Sequence, residues 1–175
     1  MGFRKDQVGE GFVYAVRSAN SANCNEIKVG LTIDPESRRR ELSGTASAFP
    51  FLFERVWAVT NMALAEHIAH TMLQEHRINE DREHFYIVPL HIHEAVFGNL
   101  WYEPSDDELD ACLAALLDRI ERMFTSQGGP LRWYPVACYS LPAYSRGRIA
   151  WQRGRPGATP LEPLFSEERL GAWDI

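Results

Sequence analysis

The sequence is poor in cysteine and contains no long apolar run. Its three cysteines, Cys24, Cys112 and Cys138, are far apart and form no CxxC pair. Neither a disulfide framework nor a cysteine zinc site is therefore predicted. No apolar stretch approaches the roughly 20 residues that a transmembrane helix needs, and the N-terminus lacks the pattern of a secretory signal. We therefore expect a cytoplasmic protein without a membrane partner.

Lysine is also scarce, and the positive charge is carried almost entirely by arginine. Lys5 and Lys28 are the two lysines, and the other sixteen basic residues are arginines. The formal net charge of −6 argues against a uniformly basic surface. However, residues 131–161 contain five arginines and no acidic residue, whereas 103–121 is acidic. Because phosphate contacts are local, this separation of charge leaves nucleic acid open as a partner.

The chain is long enough to bury a core. It has 175 residues, 45% of them hydrophobic and 24% charged, which is the mix of a globular protein. A second region begins near Gly98, so we expect one domain over residues 8–98 and a C-terminal extension over 99–175.

Hydrophobic periodicity and capping residues predict the order β-β-α-β-α in the first region. We expect an α+β fold with a small, three-stranded, mostly antiparallel sheet flanked by helices. The predicted elements are strands at 11–17, 26–31 and 51–60, a helix from Asp34-Pro35 to about Leu42, a helix capped by Asn61, an extended segment at 83–88 and a further helix at 89–97.

The extension begins with a clear helix signal. Ser105 and Glu108 form a capping-box pattern before an amphipathic helix over 105–124. We interpret this helix as a packing element, with a homodimer interface as a further use. The segment 144–156 interleaves arginine with aromatic residues, which is typical either of a nucleic-acid contact or of a tail folded over the domain. A last short helix is predicted at 166–169.

Polar residues occupy the predicted elements in a particular order. The first strand carries Phe12-Val13-Tyr14, and the second carries Lys28-Val29-Gly30. Arg38 follows on the first helix, and Glu66 lies on the helix after the third strand. In this order, over residues 10–90, the sequence resembles the GIY-YIG nuclease superfamily.

The departure from the superfamily pattern is Lys28, where classical members have tyrosine. A Lys-Ile/Val-Gly motif followed by a segment like Asp34–Leu42 resembles a branch common in phage and bacterial proteins. The branch also has characteristic residues further along the chain. At the corresponding positions this sequence has Glu66, His70, Arg77, Arg82, Glu83 and Phe85.

The resemblance implies an endonuclease that hydrolyses phosphodiester bonds. Tyr14 would be the base that takes a proton from the attacking water, with Lys28 nearby. Because the ordinary pKa of tyrosine is about 10, the phenol needs a cationic neighbour to act near neutral pH. Arg38 would supply that charge and clamp the scissile phosphate.

The resemblance also implies one divalent cation, Mg²⁺ or Mn²⁺. Glu66 would bind it through oxygen, with water and phosphate completing the coordination. Glu83 is a second candidate ligand. His70, one helical turn after Glu66, would orient these groups or act as the base. We expect Tyr14, Lys28, Arg38, Glu66 and His70 to converge on one open cleft.

The predicted partner is nucleic acid, DNA in preference to RNA, contacted by arginines outside the catalytic set. Those predicted to bind it are Arg39, Arg40, Arg77, Arg82, Arg146, Arg148, Arg153 and Arg155.

Two alternatives accompany this interpretation. The same fold without useful catalysis would be a nucleic-acid-binding or interaction module, an alternative that Lys28 and the net negative charge favour. A zinc site built from His67 and His70 with His91 or His93 is the other. It has no recognised ligand spacing, so we do not favour it.

Overall fold

A computed structural model describes residues 9–19, 25–44, 50–80, 83–89 and 104–136. The described elements are β1 (Gly11–Ser18), β2 (Glu26–Thr32), α1 (Pro35–Leu42), β3 (Phe51–Val59), α2 (Met62–Met72), a 3₁₀ helix (Gln74–His76), β4 (His84–Tyr86), α3 (Asp106–Ser126) and β5 (Trp133–Pro135).

The described strands form one antiparallel sheet in the order β4-β2-β1-β3-β5. The α+β class is therefore confirmed, but the predicted number of three strands is wrong. Strands β4 and β5 lie at the two edges, beside the three predicted strands. Strand β4 lies within the extended segment predicted at 83–88, which is confirmed. Strand β5 is three residues long, which is too short to show the two-residue alternation that reveals a strand in a sequence.

The two faces of the sheet bury different side chains. Val13 and Ala15 of β1 belong to a large core cluster that includes the buried sides of α2 and α3. Tyr14 and Val16 alternate with them and belong to a smaller cluster, against which Leu42 of α1 packs. This alternation follows from the period of two along a strand. It brings Tyr14 to the same face of the sheet as α1.

The beginnings of all three described α-helices match the predicted caps. Asp34 accepts a hydrogen bond from the Ser37 amide at 3.0 Å, and Pro35 begins α1. Asn61 caps α2 in the same way. Ser105 and Glu108 form the predicted capping box of α3. Because these caps satisfy backbone amides that have no partner within the helix, they fix where each helix starts.

Helix α3 packs against the sheet. Arg17 of β1 is 1% exposed and donates to Glu54 of β3 at 2.8 Å and to Asp110 of α3 at 2.6 Å. The indole of Trp57 donates to Glu121 of α3 at 2.8 Å. Six side chains of α3 are buried, and all six belong to the large core cluster. Residues 104–136, which the sequence assigned to an extension, therefore share their core with the first region.

Several sequence predictions fall outside the described residues. These are the helix at 89–97, the domain boundary after residue 98, the segment 144–156 and the helix at 166–169. Within the described part of the chain, no helix combines the length and the apolar character needed to cross a membrane.

Candidate active site

Tyr14 lies in the middle of β1 and has no exposed surface. Its cross-strand partner is Gly30 of β2, and paired residues point to the same face of a sheet. The phenol therefore lies over Gly30: a Cβ built on that glycine would be 2.7 Å from the Tyr14 hydroxyl. The ring also meets Phe53 edge to face, with centroids 6.0 Å apart. Gly30, the last residue of the second tripeptide, is thus needed for the close approach of the Tyr14 phenol to β2.

Arg38 joins α1 to this phenol. Its Nε donates to the Tyr14 hydroxyl at 3.0 Å, and its Nη1 donates to Glu41 Oε2 at 2.9 Å. The hydrogen bond to Tyr14 is the largest influence on Arg38 and raises its pKa, so the guanidinium stays charged. The side chain is 35% exposed. Arg38 is therefore a fixed cation with one side facing solvent.

Lys28 and Glu83 form an ion pair beside the phenol. Lys28 Nζ lies 2.8 Å from Glu83 Oε2, and the side chains are 13% and 45% exposed. The Glu83 carbonyl accepts the Val29 amide at 3.1 Å, which holds the residue against β2. A Cβ on Gly30 would lie 3.5 Å from Glu83 Oε2 as well as near the phenol. Glu83 and Tyr14 therefore flank the same glycine.

The outer edge of β2 brings α2 into the same region. Regular pairing with β4 ends at Lys28, so the edge beyond it needs other hydrogen-bond partners. The Glu66 carboxylate accepts the backbone amide of Leu31. His70 Nε2 lies 3.2 Å from the Val29 carbonyl. Because a carbonyl only accepts, Nε2 carries the proton, and Nδ1 of a neutral His70 has the lone pair.

The pKa of Glu66 is raised to about 7, and burial is the largest cause. The nearby carboxylate of Glu83 contributes to the rise, whereas Lys28 and the Leu31 amide oppose it. Near neutral pH this carboxyl is therefore close to half protonated. The carboxylates of Glu66 and Glu83 are neighbours, and that of Glu66 is poorly solvated. Positive charge added at this site would therefore favour the ionised form of Glu66.

The burial of Tyr14 differs from the expected open cleft and has an electrostatic consequence. Burial raises the pKa of the phenol, the hydrogen bond and charge of Arg38 lower it, and the carboxylates of Glu83 and Glu66 raise it. The net direction is upward, so Tyr14 is protonated at neutral pH. Burial also lowers the pKa of His70, which is therefore neutral at that pH.

The acidic residues present fit a hard divalent cation better than zinc. Mg²⁺ commonly takes one or two carboxylates and keeps several waters, which suits Glu66 and Glu83. Among the described residues there is no group of three or more histidine, cysteine, aspartate or glutamate side chains that could hold a metal ion. Of the histidines in the alternative zinc site, His67 is exposed, and His91 and His93 lie outside the described residues.

Three of the arginines predicted to bind nucleic acid can be located. Arg39 lies 2.5 Å from Glu36, and Arg40 lies 3.6 Å from the same carboxylate. Arg77 lies over the ring of Phe85, 5.0 Å from its centroid. The others lie outside the described residues: Arg82, Arg146, Arg148, Arg153 and Arg155.

Glu41 belongs to the segment Asp34–Leu42 that resembles the phage and bacterial branch, but no role was predicted for it. It directly contacts Arg38. It lies three residues after Arg38 on α1, and side chains at that spacing are neighbours on a helix. This spacing was the available signal for the contact.

Comparison with known proteins identified one family. The profile of the T5orf172 domain matches residues 11–116, which include every described residue of the site. No curated protein matched the chain significantly, and neither did any solved structure. Because the matched region covers more than half of the 175 residues, the protein belongs to the T5orf172 domain family, which occurs in phage and bacterial proteins.

Proposed function

We propose that the protein is a metal-dependent endonuclease of the GIY-YIG type that hydrolyses phosphodiester bonds in DNA. The observation that carries the proposal is the convergence of Tyr14, Lys28, Arg38, Glu66 and Glu83 from separate elements. A core that served only stability would have little use for so many ionisable groups in one place. Membership of the T5orf172 family supports a nucleic-acid-related function.

In this proposal Glu66 and Glu83 hold one Mg²⁺ or Mn²⁺. The pKa of Glu66, about 7, supports the assignment, since a bound cation would relieve both the poor solvation of the carboxylate and its repulsion from Glu83. When bound, the cation would supply positive charge to the phosphate oxygens as negative charge develops on them.

Arg38 is proposed to clamp the scissile phosphate. It is charged, partly exposed and held at one end by Tyr14, so little reorganisation is needed when a phosphate arrives. Lys28 supplies a second positive charge, although in the free protein it is paired with Glu83.

Two groups are candidates for the base that takes a proton from the attacking water. Tyr14 holds the expected position, but its raised pKa keeps it protonated until positive charge arrives with the substrate and cation. His70 is neutral at pH 7 and has a basic Nδ1. A pH profile of cleavage for Tyr14→Phe and His70→Gln separates them, because replacing the base removes its limb of the profile.

A nucleic-acid-binding module without catalysis is the second candidate function. The burial of Tyr14 is the observation that favours it. A phenol with no exposed surface cannot contact a water that attacks a phosphate unless neighbouring groups move. In this alternative, Arg38 and Lys28 bind phosphate, and the carboxylates only position them.

A cleavage assay tests the proposal. Supercoiled plasmid, single-stranded DNA and RNA are incubated with wild type in Mg²⁺, Mn²⁺ or EDTA. We expect cleavage of DNA that EDTA abolishes and that Glu66→Gln reduces about 100-fold or more. Glu75→Gln is the control, because this exposed glutamate follows α2 without approaching the site.

The outcomes distinguish the two functions. DNA binding without metal-dependent cleavage would establish the binding module. Cleavage of equal rate in wild type and Glu66→Gln would remove Glu66 from the mechanism. Cleavage of RNA but not of DNA would mean that the substrate is RNA, with phosphodiester hydrolysis still the reaction.

A further inference from the structure

Helix α1 pairs each of its three arginines with one of its own glutamates. Glu36 lies 2.5 Å from Arg39 and 3.6 Å from Arg40, whereas Glu41 lies 2.9 Å from Arg38. The two glutamates lie in opposite halves of an eight-residue helix. They therefore differ in what they can do for the stability of the helix.

Helix electrostatics account for Glu36. It lies in the first turn, and Arg39 and Arg40 lie in the last. Negative charge near the N-terminus and positive charge near the C-terminus both stabilise the helix dipole. A glutamate that precedes its basic partner is also the more favourable orientation of such a pair. The pairs of Glu36 are thus expected of a stable short helix.

The same physics disfavours Glu41. Its carboxylate lies in the last turn, where the dipole is unfavourable to negative charge. It also follows its partner Arg38 along the chain, which is the weaker orientation. Helix stability therefore gives no reason for a glutamate at position 41. The contact between Glu41 and Arg38 does give a reason.

We propose that Glu41 is an internal ligand of Arg38 that a substrate phosphate displaces. This inference rests on the proposed function, in which Arg38 clamps the phosphate. In the free protein Arg38 gives Nε to Tyr14 and Nη1 to Glu41. The Tyr14 contact is partly buried and fixes the guanidinium, whereas Glu41 is 64% exposed and free to turn into solvent. A phosphate can therefore replace Glu41 without disturbing Tyr14.

The consequence is a lowered affinity for nucleic acid. Binding must break the Arg38–Glu41 pair and bring phosphate close to a carboxylate. The contribution of an exposed ion pair is small, so replacing Glu41 with glutamine is expected to tighten binding about 1.5- to 5-fold. The gain should shrink with added salt, since salt screens exposed charges.

Fluorescence anisotropy of a labelled DNA duplex with the full chain tests this, in EDTA to prevent cleavage. Four variants are compared with wild type: Glu41→Gln, Arg38→Gln, the double variant that combines them, and Glu36→Gln. Glu36→Gln is the matched control, since it removes the same charge from the same helix without touching Arg38. Thermal unfolding of each variant checks its fold.

We expect Glu41→Gln to tighten binding more in the presence of Arg38 than in the Arg38→Gln background, where only the small gain from the loss of a negative charge remains. The gain from Glu36→Gln, by contrast, should not depend on Arg38. We also expect Glu36→Gln, but not Glu41→Gln, to lower Tm. Equal tightening by Glu41→Gln in both backgrounds would mean simple long-range repulsion, and weaker binding would mean that Glu41 supports Arg38. Either result rejects the proposal.

Failure of the proposed function gives a different result. If wild type neither binds nor cleaves DNA or RNA, the phosphate clamp itself is wrong, and the role of Glu41 falls with it. If wild type binds and Glu41→Gln has no Arg38-dependent effect, only the role of Glu41 is rejected.

Discussion

Replacing Gly30 with alanine tests the closest contact of the site. The added Cβ would lie 2.7 Å from the Tyr14 hydroxyl and 3.0 Å from Cζ. The backbone of Gly30 does not have a positive φ, so alanine is unstrained there and the effect comes from the contact alone. Tyr14 has little room to withdraw, because it is fully buried, packs against Phe53 and is held by Arg38.

The expected cost is the difference between two terms. Overpacking a core site typically costs about 1–3 kcal/mol. Replacing glycine also restricts the unfolded chain, which stabilises the protein by about 0.4–1 kcal/mol. Because the phenol cannot yield easily, we expect a net loss of roughly 1–2 kcal/mol in the free energy of unfolding. At about 2–4 °C per kcal/mol for a chain of this size, Tm falls by roughly 2–8 °C.

A double-mutant cycle with Tyr14→Phe decides whether this contact is the cause. Phenylalanine lacks the hydroxyl, which is the atom nearest to the added methyl group, so Gly30→Ala should cost less in that background. Gly129→Ala is the control for the substitution itself, since its Cβ would have no neighbour within 4 Å. Urea unfolding measures all four corners of the cycle. An equal cost of Gly30→Ala with and without the hydroxyl would refute the reasoning.

Two further predictions concern buried charge. The free energy of unfolding of wild type in EDTA, measured relative to that of Glu66→Gln, should fall as pH rises from about 4.5 to about 7, because the folded protein holds the proton of Glu66 more tightly than the unfolded chain does. Urea unfolding of both proteins across that pH range will test this, since the contributions of His70 and Glu26 are common to the two and cancel. Arg17→Ala should cost about 3–5 kcal/mol, because it breaks the ion pairs that the buried Arg17 makes with Glu54 and Asp110. The exposed Arg122→Ala on α3 should change stability by less than about 0.5 kcal/mol, and similar losses in both variants would reject the buried network.

Local signals in the sequence were sufficient for most elements of the fold. Asp34, Asn61 and Ser105 each act on amides within three residues, so a cap can be recognised without knowing the tertiary structure. Strand β5 gave no such signal. Its three residues pair with β3, more than seventy positions earlier in the chain, and only the folded sheet brings these segments together.

The proximity of the candidate residues was predictable from the sequence, but their burial was not. The family resemblance singled out Tyr14, Lys28, Arg38 and Glu66, and the register of β1 and β2 explains why the first two lie close together. The burial of Tyr14 depends on Leu42 of α1 and on Phe53 and Val56 of the neighbouring strand β3, whose side chains lie on the same face of the sheet, and spacing does not encode these contacts. The pKa of the phenol is a sum of opposing contributions from burial, Arg38 and two carboxylates. The direction in which the pKa of Tyr14 shifts therefore depends on the folded structure and does not follow from the sequence.

The edge of β2 affects how substitutions at Glu66 must be interpreted. Regular pairing with β4 stops at Lys28, and Glu66 then accepts the Leu31 amide. Glu66→Ala would remove both the charge and the partner of the Leu31 amide, and leaving this partly buried amide unsatisfied would cost up to about 1–3 kcal/mol. Glutamine keeps an acceptor oxygen for that amide and removes only the charge. A loss of cleavage in Glu66→Gln without a loss of Tm therefore assigns the activity to the carboxylate, whereas loss in Glu66→Ala alone assigns it to the integrity of the strand edge.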